Sequence, residues 1–263
     1  MSGALPRFYQ DPALYDLIHA DGTGDEVWLL DSLAARHGNE GRRALEPACG
    51  TGRCLAGLLR RGWDVCGYDL SPKMAAFARK RLSKWGKRAV ISRGDMTSFR
   101  PKGKYDLAFN LLSTFRHLAT DREALSHLRV TRGALNPGGL FVLGLDLAAY
   151  GEDQPDEEVW TTRRGGTAIR HVMMTLPPER RTRREKIINF VERGGKVLES
   201  SYDLRSYDAA ELASLIARSP FRVEAAYGYD GRPAVLGGCE RALWLVLKAR
   251  PARARPGRSR RKS

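Results

Sequence analysis

The sequence predicts an α/β protein: a doubly wound, mostly parallel seven-stranded sheet that carries an antiparallel β insertion. Three observations lead there. Five apolar strand-like runs alternate with helical patterns over about 110 residues, and such alternation implies parallel strands joined by right-handed crossovers, with helices on both faces. The alternation breaks after Tyr150, where strand-like runs follow one another with no convincing helix between residues 158 and 206. A helix and two more strands then return and close the main sheet.

The elements follow from local pattern. Residues 11–20 and 25–37 read as helices, the second with Val27, Leu29, Leu30, Leu33 and Ala34 at helical spacing. The first strand falls near Ala44–Ala48. A helix with Leu55, Leu58 and Leu59 on one face stops at Gly62. "WDVCGYDL" is the second strand, and Ser71 and Pro72 open the next helix as N-cap and first helical residue. "AVISRGDM" and "KYDLAFNLLST" are strands three and four. A helix capped by Asp121 follows, then an "NPGG" turn and a fifth strand, "LFVLGLDL". "GEDQPDEEV" reads as an acidic loop. Three or four antiparallel strands come next, with turns at Pro177–Pro178 and Gly194–Gly195. A helix capped by Asp208 and the strands "FRVEAAYGY" and "RALWLVLKA" complete the chain's ordered part.

Composition narrows the class. The 263 residues are 42% hydrophobic and 29% charged, as suits one soluble domain with an insertion. No apolar run approaches the roughly 18 residues of a membrane span, and the first residues lack a signal-peptide core, so a cytoplasmic protein is expected. Cys49, Cys54, Cys66 and Cys239 show no metal or disulfide spacing and read as buried free thiols. No metal site is expected. The net charge is +15, and the tail from Lys248 carries eight Lys and Arg and no acid. Such a tail can bind nucleic acid by counterion release or end the chain as a solvated segment.

The chemistry is announced by "LEPACGTGR", Leu45–Arg53, where Gly50 and Gly52 let the backbone approach a ligand. Asp69, at the end of the second strand, suits a ribose diol. A dinucleotide loop would have a third glycine where Leu55 stands. Glu46 precedes the loop and Asp95 follows the third strand. Acids without a phosphate-binding lysine suit a nucleoside that is positively charged and carries no phosphate, which describes S-adenosylmethionine.

At this point the chain resembles the class I S-adenosylmethionine-dependent methyltransferases, with a Rossmann-like core, over roughly Arg43–Leu147. "LEPACGTGR", "VCGYDLS", "RGDM", "YDLAFNLLSTFRHL" and "LNPGGLFVL" stand in the family's order. The insertion and an early "YDLIH" resemble its small-molecule subset. The resemblance implies that Glu46, Ala48, Gly50 and Gly52 line the methionine portion of the cofactor. Asp69 would hold the ribose, with Leu70 against the adenine and Asp95 and Met96 flanking the base. Asn110 and Leu111 would lie by the sulfonium, with Tyr9 and Tyr15 as a lid. Ala48 stands where the family more often has glycine. The organisation expected is a cofactor-binding core with lid helices at 1–150, a substrate-side insertion at 151–206, a core-completing helix and strands at 207–248, and a disordered basic tail at 249–263.

The reaction implied is in-line displacement from S-adenosylmethionine to a small-molecule N or O nucleophile, leaving S-adenosylhomocysteine. Alignment supplies most of the catalysis, and a base is needed only for a protonated nucleophile. His117 is the candidate base; the alternative is a surface or capping histidine. Tyr9 and Tyr15 read equally as core aromatics, His171 as an outward strand residue and Arg116 as an exposed loop cation. Competing functions are methyl transfer to RNA through the basic tail and "PERRTRREK", a non-catalytic cofactor-binding protein, and a dehydrogenase. The oligomeric state is not legible.

Overall fold

The computed structural model describes residues 7–164 and 167–250. The first helices are α1 (Pro12–Ile18) and α2 (Thr23–His37). Asp11 caps α1 by accepting from the amides of Ala13 and Leu14, with Pro12 at the first turn. The βα core follows as β1 (Arg43–Pro47), α3 (Arg53–Arg60), β2 (Asp64–Asp69), α4 (Pro72–Leu82), β3 (Ala89–Arg93), β4 (Tyr105–Asn110), α5 (Asp121–Ala134) and β5 (Leu135–Asp146). Ser71 caps α4 as its sequence position suggests.

Strands β6 (Asp156–Arg164), β7 (Thr167–Thr175), β8 (Arg184–Arg193) and β9 (Lys196–Arg205) form a separate antiparallel sheet in that order. The chain then returns through α6 (Ala209–Ala217), β10 (Phe221–Gly228), β11 (Pro233–Ala234) and β12 (Ala242–Ala249). The main sheet runs β3-β2-β1-β4-β5-β12-β10-β11. Its first five strands are parallel, and β12 is antiparallel to both β5 and β10.

Alternation along the central strands feeds two apolar layers. Leu107, Phe109, Leu140 and Val142 pack under α2 and α3, whereas Ala108, Phe141 and Leu143 pack under α5 and α6. A third cluster joins Leu14 and Ile18 of α1 to Ile169 and Val191 of the second sheet. The amino-terminal helix is thereby fixed to the insertion.

Several local readings change. The sheet has an eighth strand, β11, whose two residues carry no periodicity and whose proline is tolerated at an edge. The cap of α5 is Thr120, not Asp121, because Thr120 and Glu123 close a capping box. "NPGG" does not precede β5 but bulges within it: Tyr105 pairs with Leu135 and Leu107 with Leu140. The acidic run after Tyr150 is a loop only to Pro155, since Asp156–Val159 begin β6. Cys239 is exposed, while the other three thiols are buried. Most of the basic tail lies outside the described residues.

Candidate active site

The strand order reverses between β1 and β4, where the chains leave the sheet in opposite directions and open a crevice at their carboxyl ends. Asn110 spans this switch point: its Nδ2 donates to the Pro47 carbonyl at 2.6 Å. The loop after β1 places Ala48, Gly50 and Gly52 in the left-handed region, at φ of 52°, 53° and 71°. The glycines reach it freely, while Ala48 incurs about 1–2 kcal/mol of strain. The two glycines serve different ends. A Cβ on Gly52 would stand 3.2 Å from Ala78 in α4, so this residue permits close helix packing. A Cβ on Gly50 would face the Tyr15 ring at 3.6 Å.

Asp69 closes the loop from β2. Its two carboxylate oxygens accept from the Gly50 and Ser71 amides, each at 2.8 Å. Burial raises its pKa while the two amides pull it down. Each oxygen keeps a further lone pair, enough for the two hydroxyls of a diol. Glu46 lies deeper, with Oε2 buried and unpartnered. Burial pushes its pKa well up, and Arg53 opposes this. A buried carboxylate oxygen without a donor is costly, and an ammonium group would satisfy it. Leu70 leaves an apolar side chain 47% exposed at the strand end. Together these residues fit a cationic nucleoside.

Asp95 is exposed and accepts from the Thr97 amide and hydroxyl, both at 2.7 Å. Met96 is half-buried, and Asn110 and Leu111 are buried. No motif marks the residue that joins them. His127, fully buried on α5, sets Nδ1 3.0 Å from the Met96 carbonyl and Nε2 2.7 Å from Asn110 Oδ1. Burial draws its pKa down to about 4, against the pull of the Met96 carbonyl. Beyond Asn110, Leu112 and Ser113 both adopt positive φ, at 50° and 56°. Such strain of about 1–3 kcal/mol per residue collects at functional loops. Here it turns the chain sharply enough for the Ser113 hydroxyl to reach Asp146 Oδ2 at 2.9 Å.

The amino-terminal aromatics cover this region. Tyr9 lies against Tyr15, His117 and Tyr202 of β9, with ring centroids 5.4–5.7 Å away. Its hydroxyl is 3.2 Å from His117 Nε2. Burial, followed by Arg116, draws the His117 pKa down to about 4. Asp16 anchors the covering helix: it accepts from the Thr51 hydroxyl of the glycine loop at 2.7 Å and pairs with Arg81. Tyr9 and Tyr15 are thus both packed aromatics and covers over the loop.

Between this cover, the carboxyl end of β5 and the inner face of the insertion lies a cavity of about 870 Å³. Tyr9 and Tyr15 line it; His117 does not, and neither do Glu46, the glycine loop or Asp69. The cavity is therefore next to the crevice rather than the same space. Two readings of its wall change. Arg116 is buried and pairs with Glu185 of β8, because the turn after Ser113 swings it under the insertion. His171 is buried and inward-facing, with Nε2 2.9 Å from Asn189 Oδ1 and its ring edge-on to Trp160. Strand alternation alone marks this inner face: Glu185, Ile187, Asn189 and Val191 are buried at every second position. Tyr202, Asp146 and Tyr229 also line the wall and carry no motif. Among the described residues no group of three or more His, Cys, Asp or Glu is arranged to hold a metal, and no helix is long and apolar enough to cross a membrane.

The geometry is that of a class I S-adenosylmethionine-dependent methyltransferase fold. Residues 44–139 match a family described as a methyltransferase domain. The chain is 30% identical over 133 residues to the dTDP-3-amino-3,4,6-trideoxy-alpha-D-glucopyranose N,N-dimethyltransferase of Streptomyces venezuelae, covering 49% of this chain and 54% of that protein. It spans about half the length of the curated relatives it matches. The fold extends further. The CcbJ methyltransferase from Streptomyces caelestis superposes with a TM-score of 0.72 at 20% identity, over 92% of this chain and 97% of that one. The S-adenosylmethionine-bound amino pentose methyltransferase CalS10 from Micromonospora echinaspora gives 0.68 at 21%, over 94% and 99%. At those identities the likeness is one of fold.

Proposed function

We propose that this protein is a cytoplasmic S-adenosylmethionine-dependent methyltransferase that acts on an N or O atom of a small molecule. The observation that carries this reading is the pairing of two adjacent spaces. One is a crevice with the ligand set of a cationic nucleoside. The other is a cavity of about 870 Å³ roofed by the insertion, a size suited to a small acceptor. The curated relative named above is an amino-sugar N,N-dimethyltransferase, which favours nitrogen.

When bound, S-adenosylmethionine supplies an activated methyl group. The chain's own residues have the remaining tasks. Glu46 receives the ammonium of the methionine portion, and the backbone at Ala48, Gly50 and Gly52 shapes the space beside it. Asp69 holds the ribose diol, Leu70 packs on the base, and Asp95 and Met96 flank it. Asn110 and Leu111 border the transfer point. Tyr9 and Tyr15 exclude water from above. His117 serves as the partner that orients Tyr9; with its pKa drawn down to about 4 by burial and no place in the cavity wall, it is a poor base for the proton that a methylated amine sheds, which passes to water.

A macromolecular substrate has less support. In "PERRTRREK", Arg183 pairs with Glu211, Arg181 with Glu179, and Arg180 stacks on Tyr150. Calorimetric titration with S-adenosylmethionine, S-adenosylhomocysteine and NAD tests the cofactor. The first two bind the wild-type protein, and Asp69→Ala weakens them at least tenfold. NAD binding in their place overturns the reading.

A further inference from the structure

The cavity wall carries a charge pattern opposite to the rest of the molecule. The chain has a net charge of +15, yet every arginine on the wall is paired to an acid on the same wall. Arg53 pairs with Glu26, Arg116 with Glu185, and Arg241 with Glu152. The first two pairs are largely buried, and only the third, with side chains 54% and 57% exposed, lies at the rim. His19 and His171 add no charge near neutral pH, because burial lowers both. Four wall acids remain: Asp21, Asp146, Asp156 and Glu158 have no cation within 4.0 Å among the described residues. Among the described residues the Asp146 carboxylate accepts from the Ser113 hydroxyl at 2.9 Å, and burial together with this carboxylate raises the pKa of Tyr229 beside it. Burial and the neighbouring Asp146 and Asp156 together raise the Glu158 pKa, as carboxylates facing one another without a counterion require. Aromatic faces complete the wall. Tyr229 lines the cavity with 45% of its surface exposed, and Trp160 stands opposite the insertion's own His171.

Carboxylates and aromatic faces around a cavity recognise ammonium groups. A nucleoside diphosphate needs the reverse, free arginines or lysines on its phosphates, and the wall offers none that is uncommitted. One constraint sharpens the choice. A carboxylate beside an amine holds its proton and so withdraws the lone pair that methyl transfer requires. The wall acids therefore suit a nitrogen other than the one that reacts.

We propose, on the methyl-transfer reading above, that the acceptor is an oligoamine without phosphate. It is a compact polar molecule with at least one ammonium held by Asp146, Asp156 and Glu158 besides the neutral amine that is methylated. The neutral nitrogen's lone pair forms the new N–C bond. The S–C bond breaks with its electron pair passing to sulfur, and the extra proton on nitrogen is released to water. This departs from the nucleotide-linked amino sugar named for the curated relative.

The test uses the whole chain saturated with S-adenosylhomocysteine. Calorimetry compares 2-deoxystreptamine, a diamine, with glucosamine, a monoamine, and with UDP-glucosamine and thymidine diphosphate. The diamine should bind at least tenfold tighter than each of the others and weaken as salt rises. Glu158→Gln and Asp156→Asn, both at exposed cavity positions, should each weaken it at least threefold and leave S-adenosylhomocysteine binding unchanged. Asp146→Asn should do the same, with its melting temperature checked because Asp146 also holds Ser113. Tighter binding of either nucleotide, no measurable diamine binding, or diamine binding indifferent to all three variants overturns the proposal. Failure of S-adenosylhomocysteine to bind overturns the methyl-transfer reading instead, so the two failures are distinct.

Discussion

The crevice and the cavity are built by different means. The crevice is largely a backbone construction: positive φ at Ala48, Gly50 and Gly52, amides turned onto Asp69, and strain at Leu112 and Ser113. The cavity is a side-chain construction, assembled from the inner face of a regular antiparallel sheet, the helix α1 and the end of β5. Backbone geometry demands particular residue types at fixed spacing. A wall of side chains demands only size and charge, spread over segments far apart in the chain. The first kind of site can be read as a motif and the second cannot.

The largest separation between the two should come from Arg116→Ala. It would strand Glu185, 6% exposed, under the insertion. Leaving a buried charge unpaired costs about 3–5 kcal/mol, to be read from urea unfolding, with cofactor affinity less affected than folding.

A second effect comes from acid. His19 and His117, both under the cover, have pKa values lowered to about 3 and about 4 by burial. The unfolded imidazoles protonate near 6.5, so between pH 6.5 and 4 the unfolded state binds more protons. Stability is full above 6.5 and falls as the pH drops, by up to about 1.4 kcal/mol per pH unit for each histidine. His117→Gln should flatten that slope in denaturation curves taken at successive pH values.

Smaller, and specific to the junction, is Asp16→Ala, which removes the tie from α1 to Thr51 and Arg81. Loss of partially buried partners costs about 1–3 kcal/mol. Limited proteolysis near the amino terminus should quicken, and cofactor release with it. The smallest change is Ala48→Gly. It relieves positive-φ strain and loosens the unfolded chain, so the net stabilisation is at most about 1 kcal/mol. A net loss of stability by thermal unfolding would mean that the loop does not need a left-handed residue there.

The same division explains what the sequence disclosed. Helix α4 was legible because Ser71 and Pro72 mark its start, and Gly50, Gly52 and Asp69 because a turn and a strand end fix their spacing. β11 was not legible, since two residues carry no period. The bulge at "NPGG" looked like a turn because local residues cannot reveal that Leu135 also pairs with Tyr105. His127 looked like one more residue of an amphipathic helix; only the fold sets it between Met96 and Asn110. Arg116 and His171 looked solvent-facing because their partners, Glu185 and Asn189, lie 69 and 18 residues further along the chain. Alternation along β8 could have flagged Asn189 as inward, but not what it would face.

The most direct test of the central claim is to incubate the protein with S-adenosylmethionine labelled in its methyl group and a cell extract separated into small-molecule, RNA and protein fractions. Asp69→Ala serves as the control. Label should appear in the small-molecule fraction, on an amine, and vanish with the variant. Label in the RNA or protein fraction, equally lost in the variant, would contradict the assignment of the cavity as a small-molecule site.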